Sequence, residues 1–141
     1  MATRITVTLH ELVAGLDAYA DAVLRAKHGS TFGEFHYLAV LGGLGTVDIT
    51  TLADCMNLTK AAVSKRVPAL VASGLVRTSN DPANARRVLL SLTPRAAELV
   101  DRAGGELDAT FTALLDDDPP IDPEALHDVL RTLLTRIQQK D

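Results

Sequence analysis

Residues 50–93 read TTLADCMNLTKAAVSKRVPALVASGLVRTSNDPANARRVLLSLT, and this stretch decides the fold. Apolar residues recur at helical spacing in 51–57, which predicts a short helix with one buried face. Thr59 offers a side-chain oxygen that caps a second helix. Two apolar runs separated by a polar, Arg-containing loop then predict a hairpin of strands 76–79 and 88–92. A helix-turn-helix followed by a hairpin is a winged helix.

The second helix has two chemically distinct faces. Its exposed face carries small and cationic residues, as entry into a DNA major groove requires. Pro68 removes one backbone amide and predicts a kink, on the exposed side and after the half that would face DNA. Gly74 supplies the left-handed residue that ends the helix. The buried face comprises Val63, Val67, Leu70 and Val71, and the exposed face comprises Lys60, Ala61, Ser64 and Lys65.

The segments LADCMNLTKAAVSKRV, SGLVR and DPANARRVLLSLTP together resemble the MarR family of bacterial transcription regulators. The most specific part is the wing pattern, in which three residues separate DP from RR, ahead of a strand that ends in Leu-Thr-Pro. The resemblance extends over nearly the whole chain in length and helix order. It implies a single domain, 1–141, in which 49–95 form the DNA-binding winged helix-turn-helix. Residues 1–48 and 96–141 would form a helical dimerisation region.

The resemblance also implies a function. Such a protein is a homodimer that binds a pseudo-palindromic operator in double-stranded DNA and regulates transcription, most often as a repressor. A small-molecule effector, often aromatic or anionic, binds between the dimerisation region and the winged helix. Binding changes the separation of the two recognition helices, so that the half-sites no longer match. Tyr19, Phe32 and His36 are candidates for the wall of that crevice; the alternative is that they are ordinary core or surface residues.

Candidate DNA contacts lie on the second helix and in the wing. Thr59 and the helix N-terminus suit a phosphate, whereas Ser64 and the two lysines can reach base edges. Arg86 aligns with the arginine that members of the family insert into the minor groove, and Arg87 is expected to meet a phosphate. Arg66 borders the buried face and is expected to extend outward. The full set is Thr59, Lys60, Ala61, Ser64, Lys65, Arg86 and Arg87.

The formal net charge of the chain is −4, which taken alone argues against a nucleic-acid partner. The distribution of charge reverses that conclusion. Residues 59–95 contain seven Lys and Arg and a single Asp, for a net charge of +6, whereas residues 1–58 carry −3 and residues 96–141 carry −7. A basic segment on an acidic body is the pattern expected for local phosphate contact with repulsion elsewhere.

The rest of the chain predicts four further helices, which makes the fold mainly α with a small β wing (α+β). Two of these helices begin at capping boxes, and two begin at a capping residue followed by proline. They are predicted over 8–27, over 32–44, over 94–115 and from Pro123 onward, after caps at Thr8, Thr31, Thr93 and Asp122. The pair Gly104-Gly105 marks a bend or the close approach of another helix. Residues 48–50 are a candidate for a short strand that pairs with the wing.

The first and last of these helices carry wide apolar stripes. Each stripe holds more apolar surface than a monomer of this size easily covers, and such stripes usually mark an interface. We therefore expect two chains to join through their terminal helices. The alternative is that the last helix folds back to complete a monomer core. The stripes comprise Leu9, Leu12, Val13, Leu16, Tyr19, Ala20, Val23 and Leu24 in the first helix, and Leu126, Val129, Leu130, Leu133, Leu134 and Ile137 in the last.

Other function classes have weaker support. No arrangement of residues indicates a catalytic centre, no pair of histidines has metal-binding spacing, and no cofactor is expected. Cys55 is the sole cysteine, which fits a cytoplasmic protein without an internal disulfide; a redox-sensing regulator that uses Cys55 is an alternative. No apolar run is long enough to cross a membrane. A winged helix that binds protein and not DNA is a second alternative, against which the basic segment argues.

Overall fold

The computed structural model describes residues 4–140; Met1, Ala2, Thr3 and Asp141 lie outside this range. The chain divides into two compact units, Met1–Gly104 and Gly105–Asp141, with the boundary inside a helix. The elements are α1 Ile5–His28, α2 Phe32–Leu44, β1 Val47–Asp48, α3 Ile49–Met56, α4 Lys60–Ala72, β2 Val76–Asp81, β3 Asn84–Leu92, α5 Pro94–Leu115 and α6 Pro123–Gln138. The fold is therefore mainly α with a small antiparallel sheet, as predicted. Among the described helices, none combines the length and apolarity that a membrane crossing requires.

The first two helices are joined at the start of α2. α1 begins three residues earlier than predicted, because Thr8 is not its cap: the Thr8 hydroxyl donates to a backbone carbonyl four residues earlier at 3.4 Å, from within the helix. α2 begins as predicted, and the Thr31 hydroxyl accepts a backbone amide at 3.0 Å. A second cap comes from α1, where the Asp21 carboxylate accepts from the amide of Phe32 at 2.9 Å. The first turn of α2 is therefore fixed from two sides.

The core of the first unit is formed by α2, the helix-turn-helix, the sheet and the start of α5. Within the described residues, Tyr37 on α2 is the largest fully buried side chain, whereas Phe35 and Ala39 on the same helix are only half-buried. Tyr37 can be buried because its hydroxyl donates to the carbonyl of Val63 on α4 at 3.1 Å. Burial raises the pKa of the Tyr37 phenol, which keeps it a neutral donor. The core comprises Tyr37, Leu38, Leu41, Leu52, Ala53, Val63, Leu70, Leu75, Val76, Leu90 and Ala96.

The sheet has the order β1-β3-β2, and both pairings are antiparallel. The predicted strand at 48–50 does pair with the wing, but it ends at Asp48. Asp48 caps α3, so the two residues that follow it belong to that helix. The hairpin strands are longer than predicted and leave only the turn 82–83 between them. The wing is thus a strand pair almost to its tip and has no extended polar loop.

α5 begins as predicted and comes close to α2 near its middle. Thr93 caps it by accepting from the amide of Ala96 at 3.2 Å. A Cβ placed on Gly104 would lie 3.5 Å from the ring of Phe35, which is ordinary van der Waals contact. Of the two roles that the sequence left open for the glycine pair, close approach of another helix is the one seen at Gly104.

The second unit contains the end of α5 and α6. Asp122 caps α6 as predicted, because its carboxylate accepts from the amide of Glu124 at 3.1 Å. A groove of about 580 Å³ lies between these helices, with Phe111 and Leu126 among its lining residues. No residue of α6, all of which falls in the described range, is buried. Apart from Leu126, which is half-buried, the apolar positions of α6 therefore face solvent in the single chain.

Candidate nucleic-acid interface

α3 and α4 form the helix-turn-helix. Asn57 takes a left-handed conformation, with φ 54°, and ends α3. Thr59 then caps α4 as predicted, because its hydroxyl accepts from the amide of Ala62 at 3.1 Å. α4 continues through Pro68, which is exposed, and ends at Ala72. A capped helix N-terminus therefore stands at the start of the segment predicted to read DNA.

The first turns of α4 present an open cationic face. Lys60, Ser64 and Lys65 are exposed, as is Ala61 beside them. Within residues 4–140, no side chain is recorded in a hydrogen bond or ion pair with the two lysines or with Ser64. Val63 is fully buried on the opposite side and attaches this part of α4 to the core. The predicted residues of α4 are thus brought together on one accessible surface.

The wing contains a bulge of three residues, 85–87. The register pairs Asn80 with Val88 and then Asp81 with Asn84, so the three residues between have no partner on β2. Bulges of this kind bend a strand and re-aim its side chains. Both wing arginines lie in this bulge, and not in the loop that the sequence predicted.

The two wing arginines have different surroundings. Arg86 is exposed, its amide donates to the side chain of Asn84 at 3.1 Å, and its guanidinium has no recorded partner within residues 4–140. Arg87 donates from Nε to Asp48 at 2.7 Å and from Nη1 to Asp81 at 3.4 Å. Arg86 is therefore accessible to DNA, whereas Arg87 is held by two carboxylates. Contact of either residue with DNA stays a prediction.

Asp48 connects α3 to the wing. One of its carboxylate oxygens accepts from the amide of Thr51 at 2.8 Å, and the other accepts from Arg87. The hydrogen bonds from Thr51, and then the guanidinium of Arg87, lower the pKa of Asp48 to about 2. The carboxylate is therefore ionised at neutral pH. An Asp directly ahead of a helix is a signal for its capping role, but no signal in the sequence indicated its partner in the wing.

Two further cations of the basic segment 59–95 are also engaged inside the molecule. Arg66, expected to extend outward, instead reaches back to α2 and donates to the carbonyl of Gly33 at 3.1 Å. Arg95 donates to the carbonyl of Ser73 at 3.1 Å. With Arg87, three of the seven cations of this segment therefore have structural partners. The four without such a recorded partner in residues 4–140 are Lys60, Lys65, Arg77 and Arg86.

Of the three candidate effector residues, two lie together. The rings of Phe32 and His36 stack with centroids 5.6 Å apart and planes 10° apart. Tyr19 is half-buried on α1 and shares no ring contact with them in the described part of the chain. A cavity of about 150 Å³ near the start of α2 is smaller than the roughly 300 Å³ typical of the smallest ligand pockets. Its lining residues are Thr31, Glu34, Arg66, Ala69 and Leu70.

Cysteine and metal chemistry have no assembled site in the described range. Cys55 is exposed on α3 and is not in a disulfide. Residues 4–140 contain no group of three or more His, Cys, Asp or Glu side chains placed to hold a metal ion. The geometry described so far defines a winged helix-turn-helix with an open cationic recognition helix.

Comparison with known sequences agrees with that class. Residues 28–87 match the sequence model of the MarR family. An uncharacterized HTH-type transcriptional regulator, YhjH from Bacillus subtilis, is 32% identical over 80 residues, which make up 54% of this chain and 46% of the relative. The chain thus spans about half the length of this curated relative.

Solved structures with a similar fold include MarR and FabT. Wild-type MarR from E. coli, in its apo form, superposes with a TM-score of 0.78 at 20% identity, over 95% of this chain and 98% of the other. Streptococcus pneumoniae FabT, solved in complex with DNA, superposes with a TM-score of 0.75 at 19% identity, over 96% of this chain and 94% of the other. At these identities the likeness shows the fold alone.

Sequence likeness to the MarR family thus lies in residues 28–87, which contain α2, the helix-turn-helix and most of the wing.

Proposed function

We propose that this chain is a homodimeric DNA-binding transcription regulator, most simply a repressor, that a small-molecule effector releases from its operator. The observation that carries DNA binding is the open face of α4, where Lys60 and Lys65 are exposed beside a capped helix N-terminus. A free arginine, Arg86, stands in the wing of the same unit. A helix and a wing that both present unpaired cations suit a major groove and the adjacent minor groove.

Each contact in this proposal has a physical role. The N-terminus of α4, with Thr59, meets a phosphate, because its amides and helix dipole favour negative charge. Lys60, Ser64 and Lys65 reach base edges or phosphates, and the small side chain of Ala61 allows the helix to approach closely. No residue on this face reads a base with two hydrogen bonds as Arg, Asn or Gln does. Specificity therefore depends in part on groove shape, which Arg86 reads.

Dimerisation is supported by apolar surface that a single chain leaves exposed. In the first unit, the start of α1 exposes Leu12 and Val13 at 53% and 54% of their surface. In the second unit, α6 exposes Leu134 at 52% and Ile137 at 66%. Contiguous apolar stripes of this kind are costly in water and are typical of an interface. A two-fold dimer would present two α4 helices to a pseudo-palindromic site.

Release by an effector is supported by the position of the Phe32–His36 stack. The stack lies on the first turn of α2, and Arg66 from α4 bonds to the carbonyl of Gly33 in that same turn. An aromatic or anionic molecule bound there would press on the residues to which α4 is attached. Tyr19, on the neighbouring helix α1, is the third candidate for this site.

Binding to DNA upstream of the protein's own gene, measured by fluorescence anisotropy at stated salt, tests the proposal. We expect the double variant Lys65→Ala and Arg86→Ala to lose most of its affinity. Lys27→Ala, which removes one exposed charge from α1, serves as the control and should bind as wild type does. Wild-type protein that does not bind DNA, or a double variant with unchanged affinity, would contradict the proposal and favour a protein-binding winged helix. Addition of aromatic carboxylates to the complex tests the effector part separately.

A further inference from the structure

We propose that Arg87 is a positioning residue for the wing and not a phosphate contact. Together with Asp48 and Asp81, it fixes the place at which Arg86 meets DNA. This inference rests on the proposed function, since it concerns how the wing is presented to DNA. It departs from the phosphate contact expected of Arg87 from the sequence.

The first argument is the number of elements that Arg87 joins. Its side chain starts on β3, its Nε bonds to Asp48 at 2.7 Å, and its Nη1 bonds to Asp81 at 3.4 Å. Asp48 ends β1 and caps α3 through the amide of Thr51. Asp81 ends β2 and also accepts from the amide of Ala83 in the wing turn at 2.9 Å. One guanidinium thus ties the tip of the wing to the start of the helix-turn-helix.

The second argument is the bulge. Residues 85–87 have no partner on β2, so the strand ladder does not fix their direction. What holds this segment is side-chain bonding at its two ends: Asn84 accepts from the amide of Arg86, and Arg87 is bound by its two carboxylates. Release of Arg87 would leave the direction of Arg86 without a fixed support on one side.

The third argument is electrostatic. The group formed by Arg87, Asp48 and Asp81 carries one positive and two negative charges, so it does not attract a phosphate as a free arginine does. The carboxylates are largely covered, with 17% and 14% of their side chains exposed, whereas 46% of the Arg87 side chain is exposed. To turn its Nε and Nη1 donors toward a phosphate, Arg87 would have to leave two covered anions behind, which is unfavourable.

The test is the variant Asp48→Asn, because the two possible roles of Arg87 predict changes of opposite sign in its affinity for the operator. Asn retains the capping oxygen for α3 but removes the charge that holds Arg87. If Arg87 positions the wing, Asp48→Asn weakens operator binding by roughly threefold to tenfold, as the loss of one charge-assisted pair allows. If Arg87 contacts phosphate, the variant frees a cation and removes an anion, so binding tightens and becomes more salt-dependent. The second result would overturn the inference.

Three further measurements make the result specific. Arg87→Ala should leave the slope of log affinity against log salt unchanged, whereas loss of a phosphate contact lowers it by about one. Asp48→Asn in the Arg87→Ala background should cause no further loss of operator affinity, because both changes act through the Asp48–Arg87 pair. Hydroxyl-radical footprints, which report the minor groove, should lose the protection assigned to Arg86, whereas protection of guanine N7 from methylation in the major groove, assigned to α4, should be kept. An unchanged footprint, an additive double variant or a lowered slope would each count against the positioning role.

Asp54→Asn is the matched control. It neutralises an exposed carboxylate on α3 that has no recorded side-chain partner in residues 4–140, and it should bind DNA at least as tightly as wild type. Circular dichroism of each variant shows whether it is folded. If Arg87→Ala does not fold, Arg87→Lys, which retains the charge, replaces it in the affinity measurements. Failure of the proposed function is distinguishable, because wild-type protein would then not bind DNA at all.

Discussion

The hydroxyl of Tyr37 on α2 donates to the carbonyl of Val63 on α4 at 3.1 Å, inside the core. Arg66, one turn further along α4, bonds to α2 as well, and its guanidinium lies 5.9 Å from the centre of the Tyr37 ring. Two contacts of different kinds therefore attach the recognition helix to α2. Both lie ahead of Pro68, where α4 lacks one backbone amide and its own hydrogen-bond ladder is interrupted.

Tyr37→Phe should lower the free energy of unfolding by about 1 kcal/mol, the usual contribution of one hydrogen bond. The ring and its packing are retained, so the loss reports on the bond to the Val63 carbonyl. Chemical denaturation measures the change. Tyr19→Phe, which removes a half-buried hydroxyl without a recorded hydrogen bond, is the control and should unfold as wild type does. Equal effects in both variants would contradict the role given to Tyr37.

Arg86→Ala should reduce the preference for operator over random DNA, because we propose that its free guanidinium reads groove shape. Lys60→Ala should instead weaken binding to both DNAs by similar factors, as loss of a phosphate contact does. Competition titrations with the two DNAs separate these outcomes. An equal loss of affinity for both DNAs in Arg86→Ala would show that Arg86 does not determine specificity.

The stability of the protein should fall at acid pH partly through Asp48. Its pKa is lowered from 3.8 to about 2 in the folded protein, so the folded state favours the ionised form. The resulting stabilisation is present above about pH 4 and is lost as the pH falls toward 2. Thermal melts between these pH values should show a smaller acid-induced decrease in Asp48→Asn than in wild type. An identical pH dependence in the two proteins would show that Asp48 does not contribute.

Gly104→Ala should stabilise the protein by about 0.5–1 kcal/mol, because alanine has the higher helix propensity and its Cβ would meet Phe35 at an ordinary distance. Gly42→Ala should stabilise less or destabilise, since a Cβ there would lie 2.9 Å from Leu92. Midpoints of thermal unfolding compare the two. A larger gain at Gly42 than at Gly104 would contradict the packing described for α2.

Leu134→Asp should convert the proposed dimer to a monomer, because it places a charge within the apolar stripe that α6 exposes. The mass in solution, measured by light scattering after gel filtration, reports the change. Ala125→Asp is the control: it adds the same charge in the first turn of α6, where an anion is favourable, and should leave the dimer intact. A wild-type protein that is monomeric at all concentrations would end the dimer proposal.

Local signals predicted the elements well because they depend on neighbours in the chain. Thr31, Thr59 and Thr93 cap their helices as expected, since a cap needs only a side-chain oxygen and an amide two or three residues later. The same reasoning failed at Thr8, where the apolar pattern continues upstream and the helix simply extends through the capping box. A capping pair does not set the start of a helix when the residues before it also favour the helical conformation.

Contacts between distant residues were the part that the sequence did not reveal. Asp48 and Arg87 are 39 positions apart, and Tyr37 and Val63 are 26 apart, so no spacing rule connects either pair. The free cations Lys60 and Lys65 were identified because exposure on a helix face follows from periodicity, whereas Arg86 was identified from its position in the wing pattern. The engaged state of Arg66 and Arg87 was missed because formal charge does not show which cations already have partners.

The double attachment of α4 to α2 has a mechanical consequence. Because α4 is bonded to α2 at Val63 and Arg66, it has little freedom to rotate by itself. A conformational change that reaches α4 therefore moves α2 and α4 together as a rigid body. The free-energy cost of moving this pair of helices arises at the contacts that join the pair to neighbouring elements. Substitutions that strengthen or weaken those outer contacts would therefore alter the response of DNA binding to an effector more than substitutions between α2 and α4.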